Sequence, residues 1–299
     1  MVAEGGATGS EEVIVTTIKA FIQRHPVLTY YALTFAISWG GVLLIIGGPG
    51  GIPGTPDQFE TLLPIVGLAL MAGPSMAGLL LTGLVSGRAG FRELLSRLLR
   101  WRGGARWYAV ALLSAPLLMA AIPLAISLPF SEFLPRIFAA DDKASLLRLG
   151  VAFGLMAGFF EELGWTGFVI PKLERRYDVL ATGIMVGLLW GAWHLLVNFW
   201  SSGSPSGELS LALLLHSLLF SLGILPAYRV LMVWVYDRTG SLLVAVLMHA
   251  SLTASNVIFV PLATGATLVA WSVVLAAALW VVVGAAAVVN GRQLSPQPL

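Results

Sequence analysis

No cysteine occurs among the 299 residues of the chain, which excludes disulfides, thiolate metal sites and cysteine nucleophiles. Charge is also scarce: Asp, Glu, Lys and Arg make up 11% of the chain, whereas soluble domains carry roughly a quarter. A chain with so few charged side chains cannot cover the whole surface of a soluble domain with polar groups. Hydrophobic residues reach 58% and recur in runs long enough to cross a bilayer as helices. The sequence therefore predicts an all-α, polytopic membrane protein.

Eight transmembrane helices are predicted between stretches that are charged or rich in Gly, Pro and Ser. Their predicted ranges are 28–47, 61–86, 106–129, 147–170, 179–200, 208–234, 240–261 and 265–289. Together they make one membrane domain over residues 27–290, between a polar N-terminal tail (1–26) and a short C-terminal tail (291–299). A short interfacial helix is expected from Glu12 to Arg24 in the first tail.

The basic residues indicate how the chain is oriented in the membrane. Segment 88–106 holds six arginines and residues 172–176 hold three basic side chains, whereas the opposite loops hold only Arg136, Lys143 and Arg148. Because cytoplasmic loops carry the excess of Lys and Arg, both termini are expected in the cytoplasm and the chain in the cell membrane. The 88–106 loop either rests on the anionic inner leaflet or acts only as a topology signal. The lipid bilayer is thus an expected partner, and no feature indicates a nucleic acid.

Two glutamates and two histidines lie inside the predicted spans, where ionisable groups are costly and therefore usually functional or paired. Glu161 and Glu162 follow one another in the fourth span, with no basic residue nearby in sequence. Counted from the inner end of each span at about 1.5 Å per residue, Glu161 and His249 lie about 15 Å deep and His194 about 22 Å deep. Three helices are therefore expected to bring a carboxylate and two imidazoles into the central slab of the membrane.

Helical spacing predicts which side chains share a face. Consecutive residues point about 100° apart, so one glutamate is expected to face substrate or water and the other a neighbouring helix. On the seventh span, Thr253 and Asn256 follow His249 at the i+4 and i+7 positions and share its face.

Tryptophans flank the same residues: Trp190 lies one turn before His194, and Trp165 lies one turn after Glu161. The expected result is a polar pocket walled by indole rings. A carboxylate there can activate water as a general base, and a histidine can orient the water, stabilise an oxyanion or bind a metal. Peptide hydrolysis inside a membrane needs these groups and a wet cavity. The alternative is that the polar groups only hydrogen-bond the helices together.

Other protease chemistries lack their motifs in this sequence. There is no HExxH, and the Gly- and Ser-containing stretches at 73–78 and 202–207 match no nucleophile elbow or rhomboid-type serine motif. Asp237 lies at a helix end beside Arg238, and no second Asp lies within a span, so an aspartyl pair is not indicated. His216 is alone on its predicted helix and is interpreted as structural.

The segment from Glu161 to Arg176 resembles the first motif of the CPBP family, the CAAX proteases and bacteriocin-processing or immunity-type membrane proteins also called Abi. The second motif, an aromatic residue followed four residues later by His, is matched by Trp190 and His194. The third, a late His followed by Asn, is approached by the segment that begins at His249. The three motifs occur in the family's order and cover about residues 147–262.

This resemblance implies an intramembrane endopeptidase similar to the type II CAAX-prenyl proteases. Glu161 would activate water, Glu162 would support it, and His194 and His249 would complete the site. The family has been regarded both as metal-independent glutamate proteases and as metalloproteases. No cofactor is therefore certain, and a divalent metal such as zinc would be held by Glu161, His194 and His249. The implied substrate is a membrane-embedded or lipidated peptide or protein.

Two positions depart from the family motifs. The Arg expected five residues after the first Glu is Thr166, and the Asn expected four residues after the last His is Thr253, with Asn256 one turn further on as a substitute. The departures leave open a second hypothesis, a catalytically weak or inactive immunity or scaffold protein that binds a peptide in the same pocket. A proton-coupled transporter is a third, since intramembrane Glu and His also relay protons.

Overall fold

The structure, a computed structural model, describes residues 16–17 and 19–290. It confirms the all-α prediction and the number of spans: within the described residues, eight helices are long and apolar enough to cross a membrane. We name them α1 to α8, with the bounds Pro26–Ile46, Pro56–Leu98, Ala105–Ser127, Lys143–Leu173, Val179–Trp200, Leu211–Thr239, Leu242–Phe259 and Gly265–Asn290. Short helical turns at Pro49–Gly51, Ser131–Phe133 and Arg136–Ala139 lie in the connections.

Helix α2 continues beyond its predicted span, which corrects the assignment of residues 88–98 to a loop. The helix breaks at Gly87, whose φ of 57° lies in the left-handed region that glycine adopts readily. It then resumes to Leu98 because Leu94 packs into a buried cluster with Leu163 and Leu242.

Two predicted segments lie partly or wholly outside the described residues. Of the helix expected at Glu12–Arg24, residues 16–17 and 19–24 are helical, and residues 12–15 and 18 are not described. The C-terminal tail at 291–299 also lies outside them.

Successive spans run in opposite directions, so their connections alternate between two faces of the bundle. On one face, near the ends of α2 and α4, Arg97 Nη2 donates to the carbonyl oxygen of Gly167 over 2.8 Å. We call this side, which also carries the connections after α2, α4 and α6, the basic face, because arginines lie in the first two of these connections and Arg238 lies at the end of α6. On the opposite face, the backbone N–H of Gly54 donates to the carbonyl oxygen of Trp200 over 2.8 Å and ties the first connection to the end of α5.

A row of glycines brings α4 into backbone contact with α7. Gly150, Gly154 and Gly158 lie one turn apart, and a Cβ on Gly158 would come within 2.9 Å of the Ala250 backbone nitrogen. Small residues at four-residue spacing let membrane helices approach closely. The contact sets the two glutamates of α4 beside His249 of α7.

A second glycine row brings α5 against α6. Gly183, Gly187 and Gly191 repeat the same spacing, and a Cβ on Gly187 would lie only 2.5 Å from Pro226 Cα and 3.1 Å from Arg229 Cβ. This close approach sets the tryptophan at the middle of α5, Trp190, beside Arg229 of α6.

Candidate active site

Glu162 is the centre of a buried charge network. Its side chain has no exposed surface, and Arg229 Nη1 lies 2.9 Å from both carboxylate oxygens. His249 Nδ1 lies 2.7 Å from Oε1, and Thr166 Oγ1 donates to Oε2. A charge this deeply buried is tolerated only when it is paired and hydrogen-bonded. Both carboxylate oxygens of Glu162 therefore already accept hydrogen bonds from groups on α4, α6 and α7.

Arg229 is a site residue that the motifs do not predict. The sequence shows no basic residue near the glutamate pair, and Arg229 belongs to none of the three motifs. In the structure Arg229 has no exposed surface, and its guanidinium lies 4.1 Å from the centre of the Trp190 ring. The available signal was that Arg229 is a lone arginine within a span, because a charged side chain there is usually paired with a group of opposite charge. Thr166 stands where the motif has Arg, and a different helix supplies the cation.

Glu161 has different surroundings from Glu162. Its Oε2 accepts hydrogen bonds from the indole Nε1 of Trp190 over 2.8 Å and of Trp165 over 3.3 Å. Among the described residues Oε1 has no hydrogen-bond partner, and Glu161 lines a cavity. The expectation that the two glutamates face different surroundings is confirmed. Of the two tryptophans expected to wall the pocket, Trp190 lines the cavity and Trp165 does not.

The hydrogen bonds of the two predicted histidines define their tautomers. His249 Nδ1 faces the Glu162 carboxylate, and His194 Nδ1 lies 2.9 Å from the carbonyl oxygen of Trp190. Since both partners accept and cannot donate, each Nδ1 carries the proton, and Nε2 of a neutral ring keeps a lone pair. His249 Nε2 lies 3.9 Å from Glu161 Oε2. Both rings line the same cavity as Glu161.

A cavity of ≈ 250 Å³ gathers most of the predicted site. The predicted residues that line it are Glu161, Trp190, His194, His249, Thr253 and Asn256. The wall formed by α2 and the first half of α4 is apolar and includes Val66, Leu70 and Phe153. Glu162 and Thr166 do not line the cavity. Because one wall is polar and the other apolar, the cavity suits a ligand that is itself polar on one side and apolar on the other.

Asn198 and His216 extend the polar wall beyond the predicted site. Asn198 lies one turn after His194, and its amide donates to Ser221 Oγ over 2.8 Å. His216 Nδ1 lies 2.6 Å from Ser272 Oγ. The interpretation of His216 as merely structural is therefore incomplete, because the packing of α6 also places it at the cavity. The four-residue spacing from His194 could have identified Asn198, whereas no sequence signal locates His216.

The residues expected to hold a metal do not fit one as they are arranged. Within the described part of the chain, no group of three or more His, Asp or Glu side chains is placed to hold a metal ion. In a tetrahedral zinc site with bonds of about 2.0–2.2 Å, ligand atoms lie roughly 3.3–3.6 Å apart. Glu161 Oε2 and His249 Nε2 are 3.9 Å apart, and Oε2 already accepts two indole N–H groups. We therefore assign no step to a metal.

Comparison with known proteins agrees with the motifs. Residues 143–255 match the family described as Type II CAAX prenyl endopeptidase Rce1-like. Over 95 residues the chain is 30% identical to CAAX prenyl protease 2 of Methanococcus maripaludis, an alignment that covers 32% of this chain and 35% of the relative. The chain thus spans about a third of the length of the curated relative that it matches. The resemblance to the CAAX-protease family is confirmed over the segment that holds the glutamate pair and both predicted histidines.

Proposed function

We propose that this chain is an intramembrane endopeptidase in which Glu161 activates a water molecule to hydrolyse a peptide bond. One observation carries the proposal: Glu161 lines the same cavity as His194 and His249, and its Oε1 has no hydrogen-bond partner among the described residues. The match of residues 143–255 to the Rce1-like endopeptidases supports peptide hydrolysis as the reaction.

In the first step, water bridges two acceptors that the cavity provides. One O–H donates to Glu161 Oε1 and the other to Nε2 of His194, which directs the water lone pair at the scissile carbonyl carbon. As the oxygen–carbon bond forms, the first proton passes to Glu161. The indole N–H groups of Trp165 and Trp190 hold Oε2, so the carboxylate keeps its orientation while Oε1 reacts.

In the second step, the tetrahedral intermediate collapses. The Thr253 hydroxyl and the Asn256 amide lie on the His249 face of α7 and line the cavity, where they can donate to the oxyanion. Glu161 then returns its proton to the leaving nitrogen as the carbon–nitrogen bond breaks. The products are a new carboxylic acid, which keeps the second proton of the water, and a new amine, and Glu161 is regenerated as a carboxylate.

The buried network supports this chemistry without touching the substrate. The hydrogen bond from His249 to Glu162 fixes the imidazole with Nε2 on the side of Glu161. Arg229 neutralises Glu162, which would otherwise repel the negative charge of the adjacent Glu161. Glu162, Arg229 and Thr166 are therefore positioning residues in this proposal.

The proposed substrate is a membrane-associated peptide or protein, and a prenylated peptide is the first to test. The name of the methanogen relative refers to prenyl substrates. The apolar wall from α2 and the first half of α4 suits a lipid chain, and the polar side chains of Glu161 and of α5 to α7 suit a peptide backbone. We place the protein in the cell membrane with its basic face and both termini in the cytoplasm, as the distribution of arginines indicates.

The test uses the full chain in liposomes and a farnesylated peptide labelled on both sides of the bond that follows the lipidated cysteine. We expect the wild-type protein and Glu208→Gln, a matched change at an exposed site, to cleave it, and the unlipidated peptide to be cleaved more slowly. Glu161→Gln should lower the rate by about 10³-fold, as expected for loss of a general base. Binding of the peptide without cleavage by the wild type would instead favour the immunity or scaffold hypothesis.

A further inference from the structure

A second cavity, of ≈ 540 Å³, lies at the basic face and shares no lining residue with the first. Its walls come from the start of α3 and the end of α6. The lining residues are Arg106, Trp107, Val110, Trp234 and Arg238. The proposed reaction uses none of them.

The side chains around this cavity offer hydrogen-bond donors and positive charge. Arg106 is exposed, stacks over Trp107 with 5.0 Å from its guanidinium carbon to the ring centre, and forms no ion pair within the described residues. Trp234 contributes an indole Nε1 that is buried and has no hydrogen-bond partner there. Arg238 adds a second guanidinium, with its Nε 3.9 Å from Asp237 Oδ2. None of the five lining side chains offers an oxygen acceptor, so the ligand must supply acceptors and negative charge.

The neighbouring sequence strengthens the positive field. No acidic residue occurs between Glu93 and Glu132, and none follows Asp237 to the end of the chain. The connection that precedes α3 adds Arg100 and Arg102. A surface with this charge concentrates anions at the membrane boundary.

An apolar strip leads away from the cavity along α3. Leu113 and Leu117 follow Val110 at i+3 and i+7 on the same helix face, and they are 51% and 61% exposed. An amphiphile with its anionic group among the arginines would lay a hydrocarbon chain on this strip. A soluble anion would leave the strip uncovered.

We infer that this cavity binds the phosphate group of an anionic phospholipid. The guanidinium groups of Arg106 and Arg238 and the N–H of Trp234 donate to the phosphate oxygens. One acyl chain runs along Val110, Leu113 and Leu117. The site is independent of the proposed peptidase activity, because it uses a different cavity and different residues.

The experiment measures lipid binding to the full chain in an uncharged detergent by native mass spectrometry. Phosphatidylglycerol is titrated against phosphatidylcholine, with inorganic phosphate as the competitor. Arg106→Gln removes one charge, and Val110→Trp fills the cavity without changing charge. Arg92→Gln is the matched control, because Arg92 is an exposed arginine near the same face that does not line the cavity.

We expect phosphatidylglycerol to bind in preference to phosphatidylcholine. Arg106→Gln should weaken that binding about fivefold, the effect of removing one basic residue near a membrane surface. Val110→Trp should weaken it at least as much, and Arg92→Gln should not. Equal weakening by Arg92→Gln would show a general surface-charge effect and overturn the site. Displacement of the lipid by millimolar inorganic phosphate would show that a soluble ion is the ligand and overturn the lipid assignment.

Discussion

The two adjacent glutamates of α4 have opposite surroundings. Glu162 has no exposed surface and is held by Arg229, His249 and Thr166, so its hydrogen-bonding capacity is filled by the protein. Glu161 is held through one oxygen by two indoles and lines a cavity with the other oxygen unpartnered among the described residues. Both carboxylates are buried, yet only one of them is available to an external molecule.

The difference follows from helix geometry. A turn of about 100° between neighbours sends one carboxylate towards α6 and α7 and the other towards the cavity. Glu162 can then stabilise the packing of α4, α6 and α7, while the carboxylate of Glu161 stays available for reaction. The same comparison separates effects on stability, which should concentrate at Glu162, from effects on chemistry, which should concentrate at Glu161.

The largest effect is expected when the cation is removed from the buried network. Arg229→Met leaves Glu162 as an unpaired buried charge, which should lower the free energy of unfolding by about 3–5 kcal/mol. Cleavage should be lost as well, because the charge of Glu162 is no longer neutralised and acts directly on the adjacent Glu161. Denaturant unfolding in detergent and the peptide assay measure the two effects.

A double variant sharpens this result. Arg229→Met with Glu162→Met replaces the pair by apolar side chains, a change that is often neutral for stability. Stability should return towards that of the wild type while cleavage stays lost. A single Arg229→Met variant as stable and active as the wild type would contradict the role given to the network.

A somewhat smaller effect is expected from separating α4 and α7. Gly158→Leu overpacks the contact with the α7 backbone and should cost about 1–3 kcal/mol of stability. It should also reduce cleavage, since His249 moves away from both glutamates. Gly40→Leu is the matched control, because a Cβ added there meets no atom within 4 Å. Equal effects of the two variants would show that the glycine row does not position the site.

The indole groups should have a smaller effect, confined to Glu161. Trp190→Phe keeps a ring beside Arg229 but removes the 2.8 Å hydrogen bond to Oε2. A hydrogen bond to a charged acceptor contributes about 1.5–3 kcal/mol, so kcat/KM should fall roughly tenfold or more. Trp165→Phe removes the longer, 3.3 Å bond and should cost less. The reverse order would contradict the view that Trp190 is the main support of Glu161.

The smallest effect concerns Glu174, a partly buried residue outside the spans whose buried Oε1 has no hydrogen-bond partner among the described residues. Burial raises its pKa to about 7, Asp237 adds to the rise, and Arg97 opposes it. Because this exceeds the ordinary value of 4.5, the folded state holds an extra proton between these two pH values. Binding of this proton therefore adds to the free energy of unfolding. The contribution is fully present below pH 4.5 and is lost as the pH rises through about 7.

Glu174→Gln should therefore remove a pH dependence. The wild-type protein should lose on the order of 1 kcal/mol between pH 6 and pH 8 relative to the variant. Unfolding temperatures at the two pH values measure this difference. A parallel shift of both proteins would show that Glu174 does not titrate in this range.

The spans were predictable because hydropathy is a strong local signal. A helix that faces lipid must consist mainly of apolar residues, and these can be read from its own segment of the sequence. The motif residues were predictable for a related reason, since Glu161 and Trp165, or His249 and Thr253, share a helix face by spacing alone. Helix α2 was cut short because the pattern of arginines and leucines after Gly87 fits a loop and an amphipathic helix equally well.

The pairing of Glu162 with Arg229 was not predictable from the motifs. The two residues lie on different helices, and their contact depends on how α4, α5 and α6 pack. The glycine row of α5 is visible in the sequence, yet the spacing does not say which helix it faces. His216 shows the same limit, because its place at the cavity follows from the packing of α6.

The central claim is tested most directly by the cleavage rate per folded molecule of Glu161→Gln and Glu162→Gln, measured side by side on the farnesylated peptide. We expect Glu161→Gln to unfold like the wild type and to lose about 10³-fold in rate. Glu162→Gln should lose stability as well as rate, since Arg229 is left unpaired. A folded Glu161→Gln protein that cleaves at the wild-type rate would contradict the assignment of Glu161 as the base.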